Sequence, residues 1–194
     1  MYKFIFQQIK FYSGSYKEIK KKFDQGGVLV APAASALTSI KDDQRYHKSL
    51  IDSDIAILDS GFFCILLRIF QKNKVIKLSG YLFLSRFLEE LKKIDKIFLI
   101  NPSIKEDKIN KKYLLKKNIK NFKTYVAPHY KTIKDDKLIK KIKLFKPKYI
   151  MINIGGGIQE PLGVYLKKEL NFKVSILCTG AAIAFQTGSQ AKIP

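Results

Sequence analysis

The chain has 194 residues, 46% of them hydrophobic, and a formal charge of +21 from 37 Lys and Arg against 16 Asp and Glu. That length suits one core and a single domain over 1–194, and the lack of both an apolar run of about 18 residues and a signal-peptide pattern points to a cytoplasmic protein. Cys64 and Cys178 stand apart in apolar segments and His47 and His129 are isolated, so no disulfide framework, metal site or bound cofactor is expected.

Residues 1–25 are expected to form a helical lead-in. From there, short apolar runs alternate with longer amphipathic stretches, which predicts an α/β fold: a mostly parallel sheet of about six strands with helices on both faces. Strands are expected at 28–33, 55–58, 96–100, 124–127, 149–154 and 173–178, each bounded by Gly, Pro, Asp or Asn. Helices are expected at 42–51, 61–71, 81–93, 105–117, 135–145 and 159–170, where apolar residues recur at spacings of three and four. Their lysines fall on the opposite face, so the runs at 105–117 and 135–146 read as solvated helix surface. Lysine supplies nearly all of the positive excess, with Arg only at positions 45, 68 and 86. The resulting field draws phosphates and anionic headgroups. The arginine forks and clustered aromatics of a specific nucleic-acid reader are missing.

In an open parallel sheet, ligands bind beyond the carboxyl ends of the strands. This rule sorts the acidic residues. Asp52-Ser53-Asp54 has the Asp-x-Asp form of a metal-holding motif, yet it precedes the strand at 55–58 and falls at the wrong edge, so it reads as structural. Asp59, in Asp59-Ser60-Gly61, follows that strand directly. Two roles are open to it: a carboxylate projecting into the crevice, or an N-cap of the helix that begins at Gly61. Gly155-Gly156-Gly157-Ile158-Gln159-Glu160 ends one strand and opens a helix, an arrangement whose exposed N–H groups and dipole suit a diphosphate. Gln159 and Glu160 add reach toward a ribose or sugar. Thr179-Gly180 follows another strand with small residues that leave room for a ligand, and Lys77-Leu78-Ser79-Gly80 places a cation and a turn just before a helix.

Taken in order from about residue 28 to 194, these segments resemble the WecG/TagA/CpsF family of glycosyltransferases. Leu58-Asp59-Ser60-Gly61 stands where that family has Pro-Asp-Gly, and Gly155-Gly156-Gly157-Ile158-Gln159-Glu160 stands where it has Gly-x-Pro-x-Gln-Glu. The stretch from Thr179 to Gly188 is similar to its Gly-rich strand end and Phe-containing helix, and 191–194 replaces a typical Arg-Ala-Pro. The sequence departs at Ala31-Pro32-Ala33, where the family has Thr-x-Asn, and at Gly157-Ile158, where it has Pro-Lys. The resemblance is to a divergent member without the family's usual basic C-terminal appendage.

That resemblance implies a Rossmann-like fold and an inverting, metal-independent transfer in bacterial cell-surface polysaccharide or teichoic acid synthesis. The implied donor is a UDP-linked N-acetylhexosamine, typically N-acetylmannosamine, and the acceptor a lipid-diphosphate-linked sugar. Peripheral contact with the inner face of an anionic membrane and homo-oligomerisation are further expectations. Asp59 is expected as catalytic base. Ser60, Gly61, Lys77, Ser79, Gly80, Gly155, Gly156, Gly157, Gln159, Glu160, Thr179 and Gly180 are expected to bind substrate. The alternative from a different class is a non-catalytic module that holds a nucleotide or another anion through its Gly-rich turns.

Overall fold

The computed structural model of the chain describes residues 1–38, 40, 42–71 and 75–190, so the 191–194 motif lies outside the described residues. In chain order the elements are β1 (Tyr2–Phe6), β2 (Ile9–Ser13), α1 (Tyr16–Phe23), β3 (Gly27–Val30), α2 (Ala34–Thr38), α3 (Gln44–Asp52), β4 (Ile55–Ile57), α4 (Gly61–Gln71) and α5 (Gly80–Glu90). There follow β5 (Ile97–Asn101), α6 (Ile104–Lys116), β6 (Phe122–Val126), α7 (Asp136–Phe145), β7 (Tyr149–Ile152), α8 (Gln159–Glu169), β8 (Ser175–Cys178) and α9 (Ala182–Thr187). The strands form one sheet in the order β1-β2-β4-β3-β8-β7-β5-β6. Among the described residues only the β1–β2 pair is antiparallel.

All six strands read from the sequence occur, and the α/β class holds. Among the described residues the sheet has eight strands, because the lead-in expected to be helical over 1–25 is helical only in α1. Residues 2–13 instead make a hairpin whose Gln7 and Gln8 take φ of +47° and +65°, the backbone of a two-residue hairpin loop usually given to Asn or Gly. Burial of Ile9 and Phe11 holds β2 against β4. The helix itself starts at a capping box, in which Ser15 Oγ accepts the Glu18 N–H and Glu18 accepts the Ser15 N–H at 2.8 Å.

Successive strand residues enter opposite layers, as a period of two requires. Val28, Val30, Ala56, Ile150, Ile152 and Ile176 pack with Leu50 of α3, Ile142 of α7 and Leu162 of α8. Leu29, Ile55, Ile57, Met151 and Leu177 pack with Ile19 and Phe23 of α1 and Phe83 and Phe87 of α5. The central strands β3, β8 and β7 are therefore buried on both faces, which explains their unbroken apolar runs. Each such side chain contributes roughly 1.5–3 kcal/mol on transfer from water.

Parallel pairing brings the segments after β3, β4, β7 and β8 to one rim. Asp52 and Asp54 sit at the other rim, where Lys168 reaches Asp52 at 3.5 Å and Lys167 reaches Asp54 at 2.7 Å. Asp54 also accepts the Val28 N–H at 2.7 Å. Its carboxylate occupies the space beside Gly27, which has φ +105°, and a Cβ there would come within 2.4 Å of Asp54. The Asp-x-Asp motif ties the strand starts together, in keeping with its structural reading.

Candidate active site

The loop after β4 is fixed at several points. The Asp59 N–H donates to Ile57 O at 3.2 Å and the Leu78 N–H to Leu58 O at 3.1 Å. Ser60 Oγ accepts the Phe63 N–H at 3.2 Å and so caps α4; the capping role left open for Asp59 goes to its neighbour. Asp59 Oδ1 instead accepts the N–H of Gly80, the first residue of α5, at 2.7 Å. Burial pushes its carboxyl above the ordinary value, against the opposing pull of the Gly80 hydrogen bond and the Lys77 ammonium. A carboxylate so raised is the stronger base. The loop packs closely here: a Cβ at Gly80 would lie 3.1 Å from Ala31 Cβ and 3.3 Å from Thr179 Cγ2.

After β7 the chain turns through the three glycines into α8. Gly157 has φ +79°, a left-handed conformation that favours glycine. Gly155 and Gly156 are different: neither has a positive φ, and a Cβ at either would meet nothing within 4 Å. Their missing side chains clear space outside the protein.

Glu160 and Gln159, expected to reach toward ligand, are buried and already engaged. Glu160 Oε2 accepts the Gly157 N–H at 2.8 Å and its Oε1 accepts from the Gln159 amide at 2.9 Å. Gln159 Oε1 in turn accepts the Gly180 N–H at 2.7 Å. The pair thus clamps the glycine turn to the loop after β8. Burial raises the Glu160 carboxyl, although the N–H donors around it act in the other direction. The Ile158 and Gln159 N–H groups point back to Gly155 O at 3.4 and 3.2 Å. Among the described residues, the donors this turn leaves for an anion are therefore the Gly155 and Gly156 N–H groups, fewer than the sequence suggested.

One cleft of about 300 Å³ is lined by Asp59, Gly80, Gly156, Gln159, Glu160 and Thr179. Ala31 and Ala33, the positions where Thr-x-Asn was absent, also line it. Gly155 and Gly180 border an adjoining cavity of about 180 Å³. Ser60, Gly61, Lys77 and Ser79 line neither. Ser79 caps α5 by accepting the Leu82 N–H at 3.2 Å, and exposed Lys77 sits with Nζ 3.5 Å from where a Gly61 Cβ would be. Tyr46, Tyr81 and Phe185 also line the cleft and were missed, because an aromatic at helical spacing reads as core. Burial, with Glu160 and Asp43 nearby, raises the Tyr46 hydroxyl pKa, so it stays a neutral donor. Among the described residues no group of three or more His, Cys, Asp or Glu is placed to hold a metal ion.

A search of curated proteins finds no match. The sequence matches the glycosyl transferase WecG/TagA/CpsF family over residues 7–194. That span includes the Asp59 loop, the glycine turn and the clamp between them, and the chain accordingly belongs to the WecG/TagA/CpsF family of glycosyltransferases.

Proposed function

We propose that this glycosyltransferase moves an N-acetylhexosamine, such as N-acetylmannosamine, from its UDP donor to a lipid-diphosphate-linked sugar at the inner face of the cell membrane. One observation carries the reading: Asp59 and Gly156 border the same cleft. A carboxylate and the Gly156 turn thereby border one volume of sugar size, with Gly155 at the edge of the adjoining cavity. Asp59, held through Oδ1 by the Gly80 N–H, takes the proton of the acceptor hydroxyl on its other oxygen. The freed oxygen bonds to the anomeric carbon as the bond from that carbon to the UDP oxygen breaks. The Gly155 and Gly156 N–H groups and the positive end of the α8 dipole meet the charge on the departing diphosphate. A single displacement of this kind inverts the anomeric centre, and a positioned base contributes about 100-fold to 10,000-fold in rate.

The lipid character of the acceptor is supported by a third cavity, about 490 Å³, lined by Phe6, Leu37, Phe62, Phe63, Leu66 and Leu67. It opens beside α4, the helix that begins two residues after Asp59 and leaves Phe62, Ile65 and Ile69 exposed. Among the described residues no helix is long and apolar enough to cross a membrane, which fits attachment at a surface. The test is UDP release from a panel of UDP-sugars with a synthetic lipid-diphosphate acceptor present and absent. Acceptor-dependent release from one N-acetylhexosamine donor, with an inverted product, is the expected result; no release from any donor would overturn the proposal.

A further inference from the structure

Helix α4 breaks the pattern of charge that the rest of the surface follows. In α7, Lys137, Lys140, Lys141 and Lys143 are exposed while Leu138, Ile139 and Ile142 face the core. The α4 segment GFFCILLRIFQ has no lysine, and Arg68 is its one charge. Phe63, Cys64 and Leu67 are buried against the sheet, and Phe6 of the hairpin packs on Phe63 with ring centroids 5.1 Å apart. That contact fixes which side of the helix faces inward. Phe62, Ile65 and Ile69 follow one another at spacings of three and four on the other side, and are 66%, 52% and 64% exposed. A helix apolar all round belongs in an interior, yet this one has an uncovered stripe. Single exposed apolar residues are ordinary; a contiguous row marks a contact surface.

The charges beside the stripe decide between occupants. Lys77, which lines neither the Asp59 cleft nor its neighbour, stands at the amino end of α4 with Nζ 3.5 Å from the Cβ position of Gly61. Arg68 is exposed nearer the carboxyl end, where its guanidinium donates to Val75 O at 2.8 and 3.3 Å. Neither forms an ion pair among the described residues. A second copy of the chain would bring the same +21 charge to the contact, and the two-fold axis of a dimer would set these cations against their own images. An anionic bilayer reverses the sign of that interaction. The stripe enters the boundary between headgroups and acyl chains, and the cations meet headgroup phosphates. The stripe is also continuous with the apolar cavity of about 490 Å³, because Phe62 belongs to both.

We infer that the Phe62, Ile65 and Ile69 face of α4 docks this protein on an anionic lipid bilayer, with Lys77 and Arg68 as its headgroup contacts, a step that rests on the proposed function and its bilayer-held acceptor. Docked in this way, the helix that begins two residues after Asp59 lies along the membrane. The acceptor lipid then has to leave the bilayer only over the short span between α4 and Asp59.

The chain has no Trp, so Ile65→Trp and, separately, Ile69→Trp each place a single emitter on the stripe. Emission and co-sedimentation are measured with vesicles of phosphatidylcholine alone and of phosphatidylcholine with phosphatidylglycerol. Both variants should bind the anionic vesicles at least about 10-fold more tightly than the neutral ones, with a blue-shifted emission that lipids brominated in their acyl chains quench. The double variant Ile65→Ser, Ile69→Ser should bind anionic vesicles about 10-fold or more weakly than the wild-type chain. Its melting temperature and its UDP release on a water-soluble, short-chain acceptor should be unchanged. No binding to anionic vesicles, binding without a blue shift, or a serine variant bound as tightly as the wild-type chain overturns the inference, the last two by showing adsorption through another face. A wild-type dimer that the serine variant lacks also overturns it, by giving the face to a second copy. None of these results touches the transferase reading, which stands or falls on UDP release with the soluble acceptor.

Discussion

Asp54 and Asp59 bracket the same short strand, β4, and have opposite surroundings. Asp54 is well engaged: Lys167 contacts both of its oxygens at 2.7 and 2.8 Å, and the Val28 N–H adds a third contact. Asp59 has one backbone donor and an open cleft, and burial has raised its pKa. In a parallel sheet the start of a strand is where neighbouring elements are tied in, and its end is where loops diverge and leave a carboxylate room to act. Residue type is the same at both positions, so strand direction decides which acid is tied into the fold and which borders an open cleft.

Four changes would break or sharpen this contrast. The largest effect belongs to Asp59→Asn, which should lower acceptor-dependent UDP release by about 100-fold to 10,000-fold. UDP binding by calorimetry and the melting temperature should hold, because the asparagine oxygen still accepts the Gly80 N–H. Turnover near the wild-type rate would remove Asp59 from the mechanism. Glu160→Gln should come next. Both oxygens of Glu160 accept, whereas glutamine offers one acceptor and one donor, so one N–H of the clamp loses its partner at a cost of about 1–3 kcal/mol in denaturant unfolding. UDP affinity should weaken with it while catalysis by bound enzyme falls less than in Asp59→Asn; equal inactivity in the two variants would reopen the choice of base.

The third test is pH. Asp59 must be ionised to take a proton, and its folded pKa is raised, so kcat/KM should rise with pH through a limb displaced above the ordinary carboxylate value of about 4. In Asp59→Asn that limb should vanish, and its persistence would assign it to another group. The smallest effect is expected from Asp54→Asn, which keeps an acceptor for Val28 but loses the charge opposite Lys167. With both side chains partly exposed, screening limits the loss to about 0–1 kcal/mol, and transfer rates should be unchanged.

Much of this contrast is legible in the sequence, because it depends on order along the chain. The apolar runs of β3, β4, β5, β7 and β8 mark the strands, and a parallel reading places Asp59 and Gly155 at the same rim. The hairpin escapes notice because Gln7 and Gln8 occupy left-handed positions that Asn or Gly usually announce. Glu160 escapes for another reason: whether a carboxylate after a glycine turn faces a ligand or folds back onto the Gly157 N–H depends on the turn's φ values. Tyr46 reaches the cleft only through tertiary packing, from α3.

The hairpin has a practical consequence for handling the protein. The family match begins at residue 7, whereas β1 ends at Phe6. β1 covers the outer ladder of β2 and carries Lys3 to the border of the sheet, where a charge discourages pairing with another chain. A version trimmed to the matched region should keep its chemistry intact at first, yet leave β2 as a bare template and show its damage as concentration-dependent self-association in light scattering.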